Sequence, residues 1–208
     1  MRLTLVRHGE TAHNRDGLGL GREDAQLTDL GLRQTAAAVE RLASDPVDHI
    51  LTSPLTRAAA IARRLAERTG APLQVRQELT EMDVGETEGL PFAEMRARFP
   101  EFIEAWRAAN PADVLMPGGE SLVQVAARLE PLVGELHAFP DASRVVVVSH
   151  NFVLRLLICR LLGLEIGVFR AFTVGLASVS TLSLRAGQAS LRSLNDRSHL
   201  AGDPNERA

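Results

Sequence analysis

Residues 144–151 read RVVVVSHN, and this stretch is the strongest indication of the class of fold. Four consecutive valines are typical of a central β-strand that is buried on both faces, because β-branched side chains suit a pleated surface and no polar residue alternates with them. The run ends directly in His150 and Asn151. The pattern therefore predicts a strand in the middle of a sheet, with a polar loop at its carboxyl end.

The same order of features occurs twice earlier in the chain. Residues 3–9 read LTLVRHG and residues 49–57 read HILTSPLTR, and each short apolar run leads into polar residues. Apolar residues at helical spacing then follow, over residues 31–42 and 55–68. Strands that alternate with helices predict a three-layer α/β/α sandwich with a mostly parallel central sheet. Ligands bind beyond the carboxyl ends of such strands, so the loops at His8, Ser53 and His150 should meet at one crevice.

Weaker patterns complete the prediction. They indicate strands at 73–75, near 173–184 and at 189–194, and helices over 92–110 (with breaks at Pro100 and Pro111), 122–137 (despite Pro131) and 152–162. The helices within 92–137 are expected to form a cap over the active site. Residues 1–208 are expected to form a single domain, in which residues 202–208 have the composition of a disordered tail.

Composition limits the functions that the chain can serve. The hydrophobic fraction is 45% and the charged fraction 24%, close to globular averages. A net charge of -3 gives no general attraction to nucleic acid or to an anionic membrane. No signal peptide and no run of about 18 apolar residues is present, so a cytoplasmic protein is expected. Cys159 is the only cysteine, which excludes an intramolecular disulfide and predicts a buried thiol. A homodimer is compatible with the sequence, although no heptad repeat supports one.

Arg7, His8, Arg57 and His150 together predict a phosphate site. A guanidinium fork matches the oxygens of phosphate, and a histidine that follows a buried strand is held rigidly. The missing side chain of Gly9 is expected to let the backbone approach a ligand closely. No carboxylate cluster for a metal is visible. Taken singly, Arg57 is equally explained as a surface arginine and His150 as a helix cap, so the prediction depends on their concurrence.

A general acid is expected in the acidic stretch ELTEMD at residues 78–83. The pattern favours Glu81, and a bound phosphate would repel its charged form and raise its affinity for a proton. The alternative carboxyl groups nearby are Glu78, Asp83, Glu86 and Glu88. A solvated acidic loop without a catalytic role remains the alternative explanation.

Several of these stretches resemble the motifs of one family. LVRHGET at residues 5–11, followed by Asn14, resembles the opening motif of the histidine phosphatase superfamily, also called the phosphoglycerate mutase-like family. Further segments resemble family motifs in family order: SPLTRA (53–58), LTE (79–81), EG (88–89), GGES (118–121), VSH (148–150) and LN through HL (194–200). The resemblance covers residues 2 to about 200.

The resemblance implies a role for each site residue. His8 would be the nucleophile that becomes phosphohistidine, and Glu81 would be the proton donor. Arg7, Arg57 and His150 would bind the transferred phosphoryl group, with help from Asn14. Thr11, Gly21 and Asn151 are further predicted contacts to phosphate or substrate. Neither a metal nor a cofactor is implied.

The implied activity is that of a phosphatase acting on small phosphate monoesters. A mutase-type transfer of the phosphoryl group to a second substrate, or a non-catalytic phosphate-binding module, are the alternatives. The compact chain lacks the extra segments of the mutases, and it retains both His8 and Glu81, so a phosphatase is favoured. Leu20, Glu86 and Asn151 depart from common family patterns, and these departures bear on substrate choice. The side chains that would contact the leaving group are Arg22, Glu86, Phe92, Arg96 and Trp106, and each of them is equally explained as a surface or packing residue.

Overall fold

The four-valine run forms strand β4 (Arg144–Ser149), which lies inside a six-stranded sheet. The computed structural model describes residues 1–108 and 110–200. The other strands are β1 (Arg2–Arg7), β2 (His49–Thr52), β3 (Leu73–Val75), β5 (Val179–Arg185) and β6 (Gln188–Asp196). Their order in the sheet is β3-β2-β4-β1-β5-β6. Neighbours among β3, β2, β4 and β1 pair in parallel, whereas β5 and β6 pair antiparallel. The predicted mostly parallel sheet is confirmed.

Helices join most of these strands. Their bounds are α1 (Ala12–Asp16), α2 (Asp29–Ala43), α3 (Thr56–Thr69), α4 (Phe92–Arg98), α5 (Pro100–Arg107), α6 (Leu122–Ala138) and α7 (Asn151–Leu161). A side chain caps the amino terminus of each of the two longest helices: Thr28 accepts a hydrogen bond from the amide of Gly31, and Ser121 forms a capping box with Gln124. Within the described residues, no helix has the length and apolar character that a membrane crossing requires.

The valines of β4 alternate between two hydrophobic cores, one on each face of the sheet. Val146 and Val148 pack with α2 and α3, while Val145 and Val147 pack with α6 and α7. Helices therefore cover both faces, and the α/β/α sandwich is confirmed. Cys159 of α7 is buried in the core that contains Val145 and Val147, where burial raises the pKa of its thiol to about 11.

The cap is smaller than the sequence predicted. The helical segment breaks at Phe99, next to Pro100, into α4 and α5. Helix α6 continues through Pro131 and packs into the core, so it belongs to a layer of the sandwich. The segment that carries α4 and α5 begins where Leu90 accepts a hydrogen bond from the amide of Gly19.

Two further differences concern short segments. Helix α1 was not predicted, and the strand expected near 173–184 begins only at Val179. The preceding loop supports the loop after β1: the amide of Ala177 donates to the carbonyl of His8 at 2.9 Å, and the carbonyl of Ser178 accepts from the amide of Arg7 at 3.2 Å. At residues 177 and 178, these hydrogen bonds take the place of regular pairing between strands. The predicted tail at 202–208 lies outside the described residues.

Candidate active site

His8 lies directly after β1 and is 3% exposed. Its Nδ1 is 2.7 Å from the carbonyl oxygen of Gly9. A carbonyl can only accept a hydrogen bond, so Nδ1 carries the proton and Nε2 keeps its lone pair. The backbone amide of His8 donates to Ser149 of the neighbouring β4 at 3.2 Å. The fold therefore presents an oriented imidazole with one nitrogen available as a nucleophile.

His150 follows β4, and its ring centroid lies 5.1 Å from that of His8. Its Nε2 is 2.7 Å from the hydroxyl oxygen of Ser53, which itself accepts a hydrogen bond from the amide of Leu55 at 3.2 Å. We infer that the hydroxyl donates to Nε2, which places the proton of the neutral ring on Nδ1. This Nδ1 is buried and has no hydrogen-bond partner among the described residues. It is therefore a donor available to an anion.

Both imidazoles are held in the neutral form. Burial is the main cause that lowers the pKa of His8 well below its ordinary value, and the charges of Arg7 and Arg57 lower it further. The pKa of His150 is also lowered well below its ordinary value, by burial first and then by His8, Arg57 and Arg7. A neutral His8 is the form that can attack phosphorus.

Arg57 is a fully buried cation at the first turn of α3. Its two terminal nitrogens donate to the carbonyls of Gly21 and Glu23, each at 2.6 Å. Its Nε is buried and has no hydrogen-bond partner in the described part of the chain. Burial lowers the pKa of Arg57, and the negative charge of Glu81 opposes that shift most strongly. The carbonyl contacts fix the guanidinium while leaving a donor for a further anion.

Arg7 is the second cation beside His8. One terminal nitrogen donates to the carbonyl of Val174 at 2.7 Å, and its Nε is buried without a partner among the described residues. Burial lowers the pKa of Arg7 to about 10, so the guanidinium remains charged near neutral pH. The two arginines each influence the pKa of His8, which agrees with the predicted convergence of the strand ends.

Glu81 is 3% exposed and lies against the amino terminus of α7. One carboxyl oxygen accepts from the amide of Phe152 at 3.3 Å, and the other accepts from Met82 at 2.9 Å and from Val153 at 3.4 Å. Burial raises the pKa of Glu81, while the amide of Met82 and the charge of Arg57 oppose that rise. A carboxyl group with a raised pKa, close to both arginines, has the properties of a general acid.

The rival carboxyl groups have other partners. Glu78 pairs with Arg76 at 2.7 Å, Asp83 accepts from the amide of Gly85 at 2.9 Å, and Glu86 is exposed. Glu88 accepts hydrogen bonds from three successive backbone amides, at residues 21, 22 and 23. Among these candidates, Glu81 alone combines deep burial with electrostatic contact to Arg7 and Arg57.

The contacts of Glu88 reveal a role that the sequence did not suggest. The loop at residues 21–23 turns its amides toward Glu88 and two of its carbonyls toward Arg57. Asp24, which follows, accepts from the amide and hydroxyl of Thr56 at 2.7 and 2.6 Å, at the start of the helix that carries Arg57. Three amides on one carboxylate make a strong anchor, so Glu88 holds the loop that holds Arg57.

The other predicted contact residues have the following surroundings. Thr11 and Asn14 form a capping box around α1, in which the side-chain oxygen of Asn14 accepts from the hydroxyl and amide of Thr11 at 2.9 and 3.1 Å. The amide of Gly21 donates to Glu88, so its carbonyl is the group that serves the site. Asn151 begins α7, and its side-chain oxygen is buried without a partner among the described residues.

Gly9 is also required for packing within the protein. A Cβ at Gly9 would lie 2.5 Å from the carbonyl oxygen of Gly31, and a Cβ at Gly31 would lie 2.1 Å from that of Glu10. Helix α2 therefore approaches the backbone closely at Gly9. Sequence alone could not identify Gly31 as the partner, because the two glycines are 22 positions apart and meet only after folding.

The residues expected around the leaving group are dispersed over the cap and the acidic loop. Trp106 of α5 lies edge-on to Phe152, with ring centroids 6.0 Å apart, and thus reaches the end of α7 that holds Glu81. Arg22 is paired with Asp83 and Glu120. Phe92 is 50% exposed and lies under the guanidinium of Arg96. In residues 1–108 and 110–200, no group of three or more histidine, cysteine, aspartate or glutamate side chains is arranged to hold a metal ion.

The chain is similar to several known proteins over nearly its whole length. The model of the histidine phosphatase superfamily (branch 1) matches residues 3–197. The adenosylcobalamin/alpha-ribazole phosphatase of Salmonella typhimurium is 34% identical over 197 residues, which cover 95% of this chain and 97% of that protein. The glucosyl-3-phosphoglycerate phosphatase of Mycobacterium tuberculosis is 38% identical over 192 residues, which cover 88% and 85%. A solved structure of a mycobacterial glucosyl-3-phosphoglycerate phosphatase complexed with VO3 superposes with a TM-score of 0.84 at 36% identity, covering 93% of this chain and 98% of that one.

Proposed function

This chain belongs to the histidine phosphatase superfamily, branch 1, and from that premise we propose that it hydrolyses small phosphate monoesters through a phosphohistidine at His8. Glu81 serves as the general acid and then as the general base. Arg7, Arg57 and His150 bind the phosphoryl group during its transfer, with Asn14 in support.

In the first step, the lone pair on Nε2 of His8 attacks phosphorus while the bond from phosphorus to the ester oxygen breaks. Glu81, in its protonated form, gives its proton to that oxygen, and the alcohol leaves. The hydrogen bond from Nδ1 of His8 to the carbonyl of Gly9 keeps the ring in the reactive tautomer and supports the positive charge that develops on it. The products are the alcohol and phosphohistidine.

In the second step, water attacks the phosphohistidine. The Glu81 carboxylate formed in the first step removes a proton from the water, and the bond from Nε2 to phosphorus breaks. Inorganic phosphate is released, and both His8 and protonated Glu81 are restored. The two steps use the same carboxyl group in opposite directions, which suits a pKa that burial raises and nearby cations limit.

Charge stabilisation in both steps is assigned to side chains. The guanidinium groups of Arg7 and Arg57 and the Nδ1–H of His150 are donors that are fixed before substrate arrives. Preorganised donors need no reorientation while charge moves onto the phosphoryl oxygens, and this is usually the largest contribution to catalysis. The proposed reaction is therefore metal-independent, which predicts full activity in the presence of a chelator.

One observation carries the proposal. The two imidazoles lie 5.1 Å apart beside the partly buried Arg7 and the fully buried Arg57, and the contact to Gly9 leaves Nε2 of His8 free to react. Neutral histidine next to fixed cations is suited to attack on a dianionic phosphate, since the cations offset the charge of the phosphate.

The proposal is tested by measuring phosphate release from a panel of phosphorylated metabolites, with and without EDTA. The panel begins with alpha-ribazole phosphate and glucosyl-3-phosphoglycerate, because the relatives are named for them. Phosphoserine, sugar phosphates and phosphoglycerates complete it. His8→Ala should abolish turnover, and rapid acid-free quenching of the wild type should trap a phosphoenzyme that is stable to base. Equal activity in His8→Ala would reject the proposal.

Two results would support the alternative functions. Transfer of the phosphoryl group to a second hydroxyl, in preference to water, would identify a mutase-type enzyme with the same first step. Tight binding of phosphate without turnover across the panel would identify a non-catalytic module. Inhibition by vanadate is expected for the phosphatase, because vanadate resembles the phosphoryl group in transfer.

A further inference from the structure

We propose that Arg128 is the residue that positions the general acid, and that its loss impairs the enzyme selectively toward esters whose leaving group needs a proton. This inference rests on the proposed function, in which Glu81 protonates the departing oxygen. Arg128 belongs to α6, far from Glu81 in sequence, and it lies beneath the segment that carries Glu81.

The contacts of Arg128 converge on the backbone of that segment. One terminal nitrogen donates to the carbonyl of Glu78 at 2.5 Å, and the other donates to the carbonyl of Glu81 at 3.2 Å. A planar guanidinium that holds two carbonyls fixes their relative position, which a single flexible donor could not do. The backbone on either side of the acid is therefore tied to a helix of the core.

Glu120 extends the same connection past the acid. Its carboxylate accepts from Nε and a terminal nitrogen of Arg128, at 3.1 and 3.3 Å, and from the amide of Asp83 at 2.9 Å. The amide of Glu120 in turn donates to the carbonyl of Asp83 at 2.9 Å. The pair of Arg128 and Glu120 thus holds the chain at residues 78, 81 and 83, before and after the catalytic carboxyl group.

The way in which Arg128 binds also suits the chemistry. A cation that paired directly with the carboxylate of Glu81 would stabilise the charged form and lower its pKa. The hydrogen bonds of Arg128 go instead to main-chain carbonyls, while the carboxyl oxygens of Glu81 receive backbone amides at Met82, Phe152 and Val153. Arg128 can therefore fix the position of Glu81 without forming an ion pair that would lower the pKa of its carboxyl group.

Arg76 offers a matched control on the same segment. It binds the side chain of Glu78 at 2.7 Å and the side chain of Glu135 on α6, so it also joins the segment to that helix. Its contacts involve carboxylates of residues 78 and 135 and leave the carbonyl of Glu81 to Arg128. Both arginines are partly exposed, with 22% and 21% of the side-chain surface accessible.

The experiment compares Arg128→Met with Arg76→Met on two substrates, p-nitrophenyl phosphate and an alkyl phosphate. The nitrophenolate leaves without protonation, whereas an alkoxide needs the acid. We expect Arg128→Met to lower kcat/KM for the alkyl phosphate by about 30-fold and for the aryl phosphate by less than about threefold. Arg76→Met should change the two values by the same factor. Inhibition by inorganic phosphate should be unchanged in Arg128→Met, because the phosphoryl donors are intact.

Arg128→Lys is the second variant, in case the methionine variant does not fold. Lysine keeps the charge and the pairing with Glu120 but cannot span two carbonyls, so the same selective loss on the alkyl ester is expected. Equal loss on both esters, or loss no greater than in Arg76→Met, would overturn the role of Arg128 while leaving the phosphatase in place. Absence of phosphate release from both esters in the wild type would instead overturn the proposed function itself.

Discussion

The rings of His8 and His150 lie 5.1 Å apart, and each ring has a different hydrogen-bond partner. His8 donates from Nδ1 to the carbonyl of Gly9, while His150 uses Nε2 toward the hydroxyl of Ser53. In the proposed reaction, the first contact leaves a lone pair of His8 for attack and the second leaves Nδ1 of His150 as a donor to phosphate. The partners lie at the ends of different strands, so the sheet positions both contacts.

Ser53→Ala should therefore weaken phosphate binding although Ser53 is not expected to contact substrate. Without the hydroxyl, His150 loses the partner that keeps its proton on Nδ1, and kcat/KM should fall by about 10- to 100-fold for aryl and alkyl esters alike. Affinity for vanadate should fall in parallel. Ser149→Ala is the control: this buried neighbour of His150 donates to the carbonyl of Leu79, so vanadate affinity should stay near that of the wild type. Unchanged vanadate affinity in Ser53→Ala would argue against the tautomer assignment.

Glu88→Gln should impair the site through Arg57. The amide side chain cannot accept from three backbone amides as the carboxylate does, so the loop at residues 21–23 should loosen and its carbonyls should release the guanidinium. We expect KM and the vanadate inhibition constant to rise by about 10-fold, equally for all leaving groups. Glu40→Gln, on an exposed side chain of α2 that pairs with Arg68, should have little effect. A loss confined to alkyl esters would indicate that Glu88 acts on the acid instead.

The sequence predicted most of the sheet and the convergence of the candidate site residues, because those features depend on local patterns. Short apolar runs that end in polar residues locate β1, β2 and β4, and parallel strands bring His8, Ser53 and His150 to one edge. The sequence left four rival carboxyl groups beside Glu81, and burial distinguishes Glu81 from them in the structure.

The parts that the sequence did not predict depend on contacts between distant segments. Residues 173–178 have an apolar composition that favours a strand, but their backbone groups bond to Arg7 and His8 instead. The acidic residues Glu88 and Asp24 look like solvated loop carboxylates until folding brings backbone amides to them. Local propensity contains no information on such partners, and tertiary contacts override it.

Gly9→Ala and Gly134→Ala should change stability in opposite directions. A Cβ at Gly9 would lie 2.5 Å from the carbonyl of Gly31, and the backbone must shift, which should lower the free energy of unfolding by about 1–3 kcal/mol. Gly134 lies inside α6, and a new Cβ there would have nothing within 4 Å. Alanine at this position should therefore raise the free energy of unfolding by about 0.5–1 kcal/mol. Urea unfolding of the three proteins measures both values. If Gly9→Ala left the free energy of unfolding unchanged, α2 would be able to shift at this contact at little cost.

The buried histidines predict how stability depends on pH. Because folding lowers the pKa of His8 and of His150 well below the ordinary value of about 6.5, the unfolded chain binds protons at these positions that the folded chain does not. The stabilisation that the two neutral histidines contribute is complete above about pH 6.5. It is lost as the pH falls below that, by up to about 1.4 kcal/mol per pH unit for each histidine. Glu81 has the opposite effect on stability. Because burial raises its pKa, the folded chain takes up a proton there at a higher pH than the unfolded chain, and this favours the folded state as the pH falls.

Two variants separate these contributions between about pH 5 and about pH 6.5. His8→Gln removes one of the two groups that resist protonation, so its stability should fall less steeply with decreasing pH than that of the wild type. Glu81→Gln removes the opposing carboxyl, so its stability should fall more steeply. Urea unfolding across this range gives the slopes, and equal m-values would ensure that the free energies are comparable. An unchanged slope in His8→Gln would mean that His8 takes up its proton in the folded protein at the ordinary pH, and a nucleophile charged in that way could not attack phosphorus near pH 6.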